Sequence, residues 1–430
     1  MAAPSARSLT WRSGKRRSSG DVAIMAENHS QGRPVTLLEG IFNAVDAVAR
    51  RIVDFIPLSR GIRNAVRSTG DGLIGWEHVR EIAVATLELQ QDTPEPIAPE
   101  MIEQYQVMLE AAGRQVAVYT GLEVSGLPET VMVFRQEDWI DANIVSFRFL
   151  FDPISEKYVK VIEEAEQGRF DPAPNPKGQR IARAMLTVQV GIIMGYLARN
   201  VLGQFDLSLP EPDEGGKLYV VETNVRRIDL ELGLHPREFR QWITLHEVTH
   251  SFEFHCNDWL RGYIASTMQE YLDTIDWRGL SRPGFFRKIR ENNIQRDDAL
   301  KAGGLIAMIA SPEQREILRR MQAVMSVLEG YSNHVMDQVG KDLLATYSSM
   351  KERFERRREH RSGVERLFRR LIGIDLKLQQ YKIGKAFVDE VVRQEDVAFL
   401  NRVWESPDAM PSLDEIMKPS LWIERIKHIV

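Results

Sequence analysis

The segment REFRQWITLHEVTHSFEF, residues 237–254, constrains the fold more than any other stretch. Phe239, Trp242, Leu245, Val248 and Phe252 recur at three- and four-residue steps, the period of a helix that buries a broad face. Within it His246 and His250 stand four apart, so a helix points both imidazoles from one side. Paired histidines on so apolar a helix need a partner, because burying a polar group without one costs free energy. A metal ion is such a partner, and two ring nitrogens at this spacing reach one zinc at about 2.0–2.1 Å. Glu247 is rotated off that face by one residue. There it can reach a water without taking a coordination position, as the general base of metal-assisted hydrolysis must. The competing reading is an ordinary amphipathic helix with incidental histidines.

A catalytic zinc takes three protein ligands and leaves one position open, so a third side chain is required. Cys256 lies ten residues after His246, where metzincins carry their third histidine, but Glu253 replaces the glycine on which their turn depends. A small buried thiol is the simpler account of Cys256. His255, five residues after His250, points elsewhere at the helix end. Glu270 stands twenty residues after His250, a thermolysin-like distance, and reads equally well as a solvated helix glutamate. Glu329, in the apolar run MQAVMSVLEG, is the choice here. A carboxylate buried there is costly unless a cation answers it, an arginine being the alternative to a metal. Asn333 follows at the i+4 position, placed to hydrogen-bond this ligand.

Around this motif the chain reads as mainly α with a very small sheet. Helical periodicity runs through 36–56, 76–90, 99–122, 138–151, 156–167 and 179–202, with 171–178 a loop. It resumes from Glu238 to Asp273 with one interruption, and from Ala299 to Lys385. Gly191 and Gly195, one turn apart, predict a close helix contact. ETVMVF (129–134) reads as a short strand and KLYVVETNV (217–225) as the strongest one. Residues 1–34 carry five basic groups before the first acid, Asp21, and read as a disordered basic tail with Met25 a candidate start. The pair Arg16-Arg17 lacks the apolar stretch that an export signal needs. Residues 35–430 read as a single domain.

A 43% hydrophobic and 27% charged composition is that of a globular protein, and a net charge of −5 gives no general attraction to nucleic acid or anionic membrane. The stretch 351–370 has nine Lys/Arg, but its four glutamates mark a solvated helix face. The single cysteine excludes a disulfide framework. No segment approaches the roughly 18–20 apolar residues of a membrane span. No nucleic-acid partner, no membrane and a cytoplasmic location are therefore expected.

Several stretches resemble one family. They are GYLARNVLGQFD (195–206), LYVVETN (218–224), FRQWITLHEVTHSFEF (239–254), DWLRGYI (258–264) and LEGYSNHVMD (328–337). RLFRRLIGIDLKLQQYKIGKAFVDEV (366–391) and VWESPDAMPSLDEIMKPSLWIERI (403–426) continue the series. Together they resemble the zincin-like hydrolases of the family labelled "coenzyme F420 biosynthesis associated". The resemblance implies a mostly helical zincin-like fold, one zinc, the two HEVTH histidines as ligands, and support for Glu329 through the EGY stretch. The chain departs from the family at HCNDW (255–259), where a Gly-Val-Pro-Trp-like turn is usual, and at Asn333, where aspartate is common.

The expected function is thus a zinc-dependent hydrolase, a metallopeptidase of the HExxH, gluzincin-like type, acting on a peptide or other amide. His246, His250 and Glu329 are the expected Zn2+ ligands and Glu247 the base. Tyr263, Tyr331 and His334 are candidate donors to the developing oxyanion. The strand Leu218–Thr223 is expected beside the site, where it could bind an extended peptide by strand addition. The alternative is a zinc-stabilised binding or assembly protein without turnover.

Overall fold

The structure is a computed structural model that describes residues 64–65, 72–88, 96–122, 131–164, 176–206, 217–274, 311–359 and 374–428. All belong to one compact unit spanning 51–430. The expected basic tail, the candidate start at Met25 and the helix over 36–56 lie outside the described residues, as does the second half of the basic stretch.

Ten longer helices and three strands make up most of the described chain. In order they are α1 (Trp76–Glu88), α2 (Pro99–Thr120), β1 (Val131–Phe134), α3 (Gln136–Glu164), α4 (Pro176–Asn200), β2 (Gly203–Asp206), β3 (Lys217–Val221) and α5 (Glu222–Leu232). Then follow α6 (Pro236–His255), α7 (Asp258–Asp273), α8 (Pro312–Leu343), α9 (Tyr347–Glu359) and α10 (Ile374–Gln394), with short helical turns and a ten-residue helix, Pro419–His428, after them. The fold is mainly α with a small sheet, as expected. No described helix is long and apolar enough to cross a membrane.

The sheet order is β1-β3-β2, with β1 parallel and β2 antiparallel to the central strand β3. Alternation along β3 divides two cores. Leu218 and Val220 enter the large core with Phe239, Leu245, Val248 and Phe252 of α6, while Val221 joins a smaller core with Trp139, Ile140, Met194 and Ala198. In that smaller core Gly191 and Gly195 seat α4 on α1: a Cβ at Gly195 would stand 2.6 Å from the Ala83 carbonyl oxygen. The predicted close contact is therefore present.

Three expectations change. The two helices read over 138–151 and 156–167 are one, α3, running through Pro153. Proline removes a hydrogen bond to the carbonyl four residues back, here that of the exposed Phe149, where water can replace it. Contacts on either side of the proline keep the halves in line: Trp76 Nε1 donates to Asp152 Oδ1 (2.9 Å) and the Leu73 amide to Ser155 Oγ (2.6 Å). The loop read over 171–178 ends early, because Pro176, with its fixed φ, opens α4. The strand read over 217–225 stops at Val221, and Glu222 and Thr223 start α5. Glu222 is held there by Arg240 of α6, whose Nε lies 3.1 Å from Oε1, and by the Tyr105 hydroxyl at 2.7 Å.

Candidate metal centre

Helix α6 is placed by its ends and buried along most of its length. Pro236 opens it, and Arg240 ties its first turns to Glu222 and, at 3.1 Å, to Asp229. The side chains from Phe239 to Phe254 are buried on nearly every face except at His246 and His250. Those two rings pack edge to face, with centroids 4.7 Å apart and planes at 81°. Helix α8, opened by a Ser311–Gln314 capping box, crosses α6 and brings Glu329 to the pair. One ligand atom from each of His246, His250 and Glu329 lies within 4.8 Å of the other two, and His246 Nε2 is 4.0 Å from Glu329 Oε2. The Glu329 side chain is only 3% exposed, whereas the imidazoles keep 18% and 15%, so the corner opens to solvent on the histidine side.

Glu247 stands against β2. The Phe205 amide donates to its Oε2 at 3.0 Å. Gly203 allows the strand to come this close, since a Cβ there would lie 2.7 Å from Glu247 Cγ. Strand β2 is itself fixed through Gln204, which accepts from Trp139 Nε1 (2.7 Å) and donates to Asn143 Oδ1 (3.0 Å).

Over residues 74–423 the chain matches the zincin-like metallopeptidase family. The chain belongs to that family. It is also similar to a solved structure from Chloroflexus aurantiacus described as "a putative hydrolase with a novel fold", with 35% identity and a TM-score of 0.62 over 83% of this chain and 100% of that one. No curated protein matches it.

For a zincin-like metallopeptidase a divalent metal, typically zinc, is implied, and the residues present fit one. Two imidazole nitrogens and one carboxylate oxygen converge, a donor set that gives zinc three ligands and leaves a position open. The negative side is concentrated here. Burial disfavours a charge on His250, but the carboxylates of Glu253, Glu329 and Glu247 override it and raise its pKa to about 9. Burial likewise raises Glu253 to about 7, which His250 partly offsets.

The other residues singled out in the sequence fall in different places. Asn333 does reach Glu329, but its amide donates to the main-chain carbonyl of Glu329 rather than to the carboxylate, the usual outcome for an i+4 amide on one helix. Tyr331 is fully buried and its hydroxyl donates to Asn401 Oδ1 at 2.8 Å, so it is already engaged. His334 has both nitrogens engaged, Nε2 with the Tyr119 hydroxyl and Nδ1 with Asp389 Oδ1, each at 2.7 Å. Neither is arranged as an oxyanion donor. Tyr263 packs against Trp259 and acts electrostatically on Arg320. Arg320 in turn pairs with Glu270 at 2.6 Å on the surface. Arg320 precedes Glu329 by nine residues, about 13 Å along α8, so this ion pair lies away from the histidines. His255 hydrogen-bonds Ser251 one turn back (Nδ1 to carbonyl, 2.8 Å), and Cys256 is a half-buried thiol whose pKa burial raises.

Sequence reasoning missed three residues of this corner. Glu253, fully buried, lies 2.7 Å from His250 Nδ1; its signal was the local His-x-x-Glu spacing on a helix. Gly203 and Phe205 sit in a strand of four residues, too short for periodicity to show.

Proposed function

We propose that the chain is a zinc-dependent hydrolase of peptide or other amide bonds, of the HExxH, gluzincin-like type. The observation that carries this is the convergence of His246, His250 and Glu329 beside a buried Glu247 held at a sheet edge. In this reading His246, His250 and Glu329 hold the ion. Zinc so held supplies Lewis-acid polarisation of a carbonyl and acidifies water. Glu247 lies next to the ligands without being one. It accepts the proton of the attacking water and returns it to the departing amine. The Phe205 amide orients its carboxylate, and Gly203 lets the strand approach closely enough to do so.

Strand addition by a substrate must be assigned to a different strand from the one expected. Both edges of β3 are already paired, to β1 and β2. Among the described residues β2 is an edge strand, and its Phe205 amide points away from β3 towards Glu247. Because Glu247 already takes that amide, an extended peptide would have to pair with the remaining outward groups of β2, beside the base.

The test is turnover of a broad quenched-peptide library by zinc-loaded wild type and by Glu247→Gln. Cleavage by wild type, reduced about 10^2–10^4-fold in the variant at equal zinc content, supports the reading. Zinc in both with no cleavage by either would favour a binding protein. Equal cleavage by both would remove Glu247 as the base.

A further inference from the structure

The metal-site reading leaves one buried acid of the corner without a role. Glu253 lies in the last turn of α6, one turn after His250, and is fully buried. Its Oε2 is 2.7 Å from His250 Nδ1, and its Oε1 has no hydrogen-bond partner. The charged groups acting on it most strongly are His250, Glu329 and Glu247. Buried acids kept for packing elsewhere in this fold meet a permanent cation: Glu222 meets Arg240, and Asp337 meets Lys351 and Lys385. Glu253 meets an imidazole instead, and two further carboxylates face the same small volume. A buried charge so weakly compensated is expensive unless something else completes the site.

Resting on the metal-site reading, we propose that Glu253 is a positioning residue for the metal centre. It accepts the Nδ1 proton of His250, which fixes that ring's tautomer and presents the Nε2 lone pair to the ion. It also adds a third carboxylate to those of Glu329 and Glu247, so that a divalent cation offsets most of the negative charge gathered at the corner. A histidine ligand is held this way when its second nitrogen is committed to a carboxylate, which raises its basicity as well as fixing its orientation.

The test uses Glu253→Gln, which keeps shape and an acceptor but removes the charge, and Glu253→Leu, which removes both. For each, the zinc Kd is measured by chelator competition and the Tm of the metal-free chain by calorimetry. The expected result is a Kd raised about 10–100-fold in Glu253→Gln and further in Glu253→Leu, with no fall in the metal-free Tm. A residue that served only packing would give the reverse, a lower metal-free Tm and a wild-type Kd, and that result would overturn the proposal. Should a variant not fold, nitrogen-15 histidine spectra of zinc-loaded wild type decide: the proposal requires His250 protonated on Nδ1, and protonation on Nε2 contradicts it. Wild type that takes up no zinc would overturn the metal-site reading itself, and this role with it. Zinc binding by wild type with an unchanged Kd in Glu253→Gln removes only the role of Glu253.

Discussion

Helix α8 carries two buried acids eight residues apart, about 12 Å along its axis, and they are compensated in opposite ways. Asp337 is surrounded by permanent donors: Lys351 Nζ at 2.6 Å, Lys385 Nζ at 3.2 Å, and the Tyr347 hydroxyl. Glu329 faces two imidazoles, His246 and His250. The first arrangement is complete within the chain and holds α8, α9 and α10 together. The second gathers the carboxylates of Glu329, Glu247 and Glu253 about His250, which suits a divalent cation. One helix thus carries a structural anchor at one end and a candidate metal ligand in its middle, and the nature of the partner tells the two apart.

The largest effect is expected at the anchor. Asp337→Ala leaves Lys351 without its acid and Lys385 with Asp389 alone, and should cost about 3 kcal/mol of stability at neutral pH, with zinc per chain unchanged. Burial pushes the Asp337 carboxyl up, but Lys351, Tyr347 and Lys385 together hold it below the usual range. Since the folded-state pKa is depressed, this contribution is fully present above the unfolded value of about 3.9 and fades as pH falls through the folded one. Denaturant titrations of wild type and variant should therefore differ most near pH 7 and converge in strong acid. A zinc loss in Asp337→Ala matching its stability loss would blur the distinction between the two regions.

A smaller effect is expected between them. Gly384 of α10 packs against α8 so closely that a Cβ there would stand 1.8 Å from the Ser326 carbonyl oxygen, three residues before Glu329. Gly384→Ala must push the helices apart and should cost about 2 kcal/mol, read as a lower Tm. If α10 sets the height of Glu329 over the histidines, zinc affinity falls as well. A lowered Tm with wild-type affinity would show that α6 and α8 place the metal corner without help from α10.

How much of this was legible in the sequence follows from the range of each interaction. The α6 histidines and Glu247 were readable because helical spacing alone determines which face they share. Glu329 was readable because an acid in an apolar run needs a cation, wherever the cation comes from. Glu253 was equally local but was weighed only as a missing glycine. The Asn333 partner was misjudged because an i+4 amide finds its own helix's carbonyl first. Tyr331 and His334 could not be placed, since their partners Asn401, Asp389 and Tyr119 come from elements distant in sequence. The same holds for β2, where four residues beside Glu247 are recognisable only once β3 pairs with them.

The central claim, that Glu329 completes a metal centre with His246 and His250, is tested most directly by zinc stoichiometry after dialysis. Wild type, Glu329→Gln and, as control, Glu270→Ala are compared by elemental analysis. The account predicts about one zinc per chain in wild type and Glu270→Ala, and loss of zinc in Glu329→Gln. Zinc retained in Glu329→Gln but lost in Glu270→Ala would contradict it.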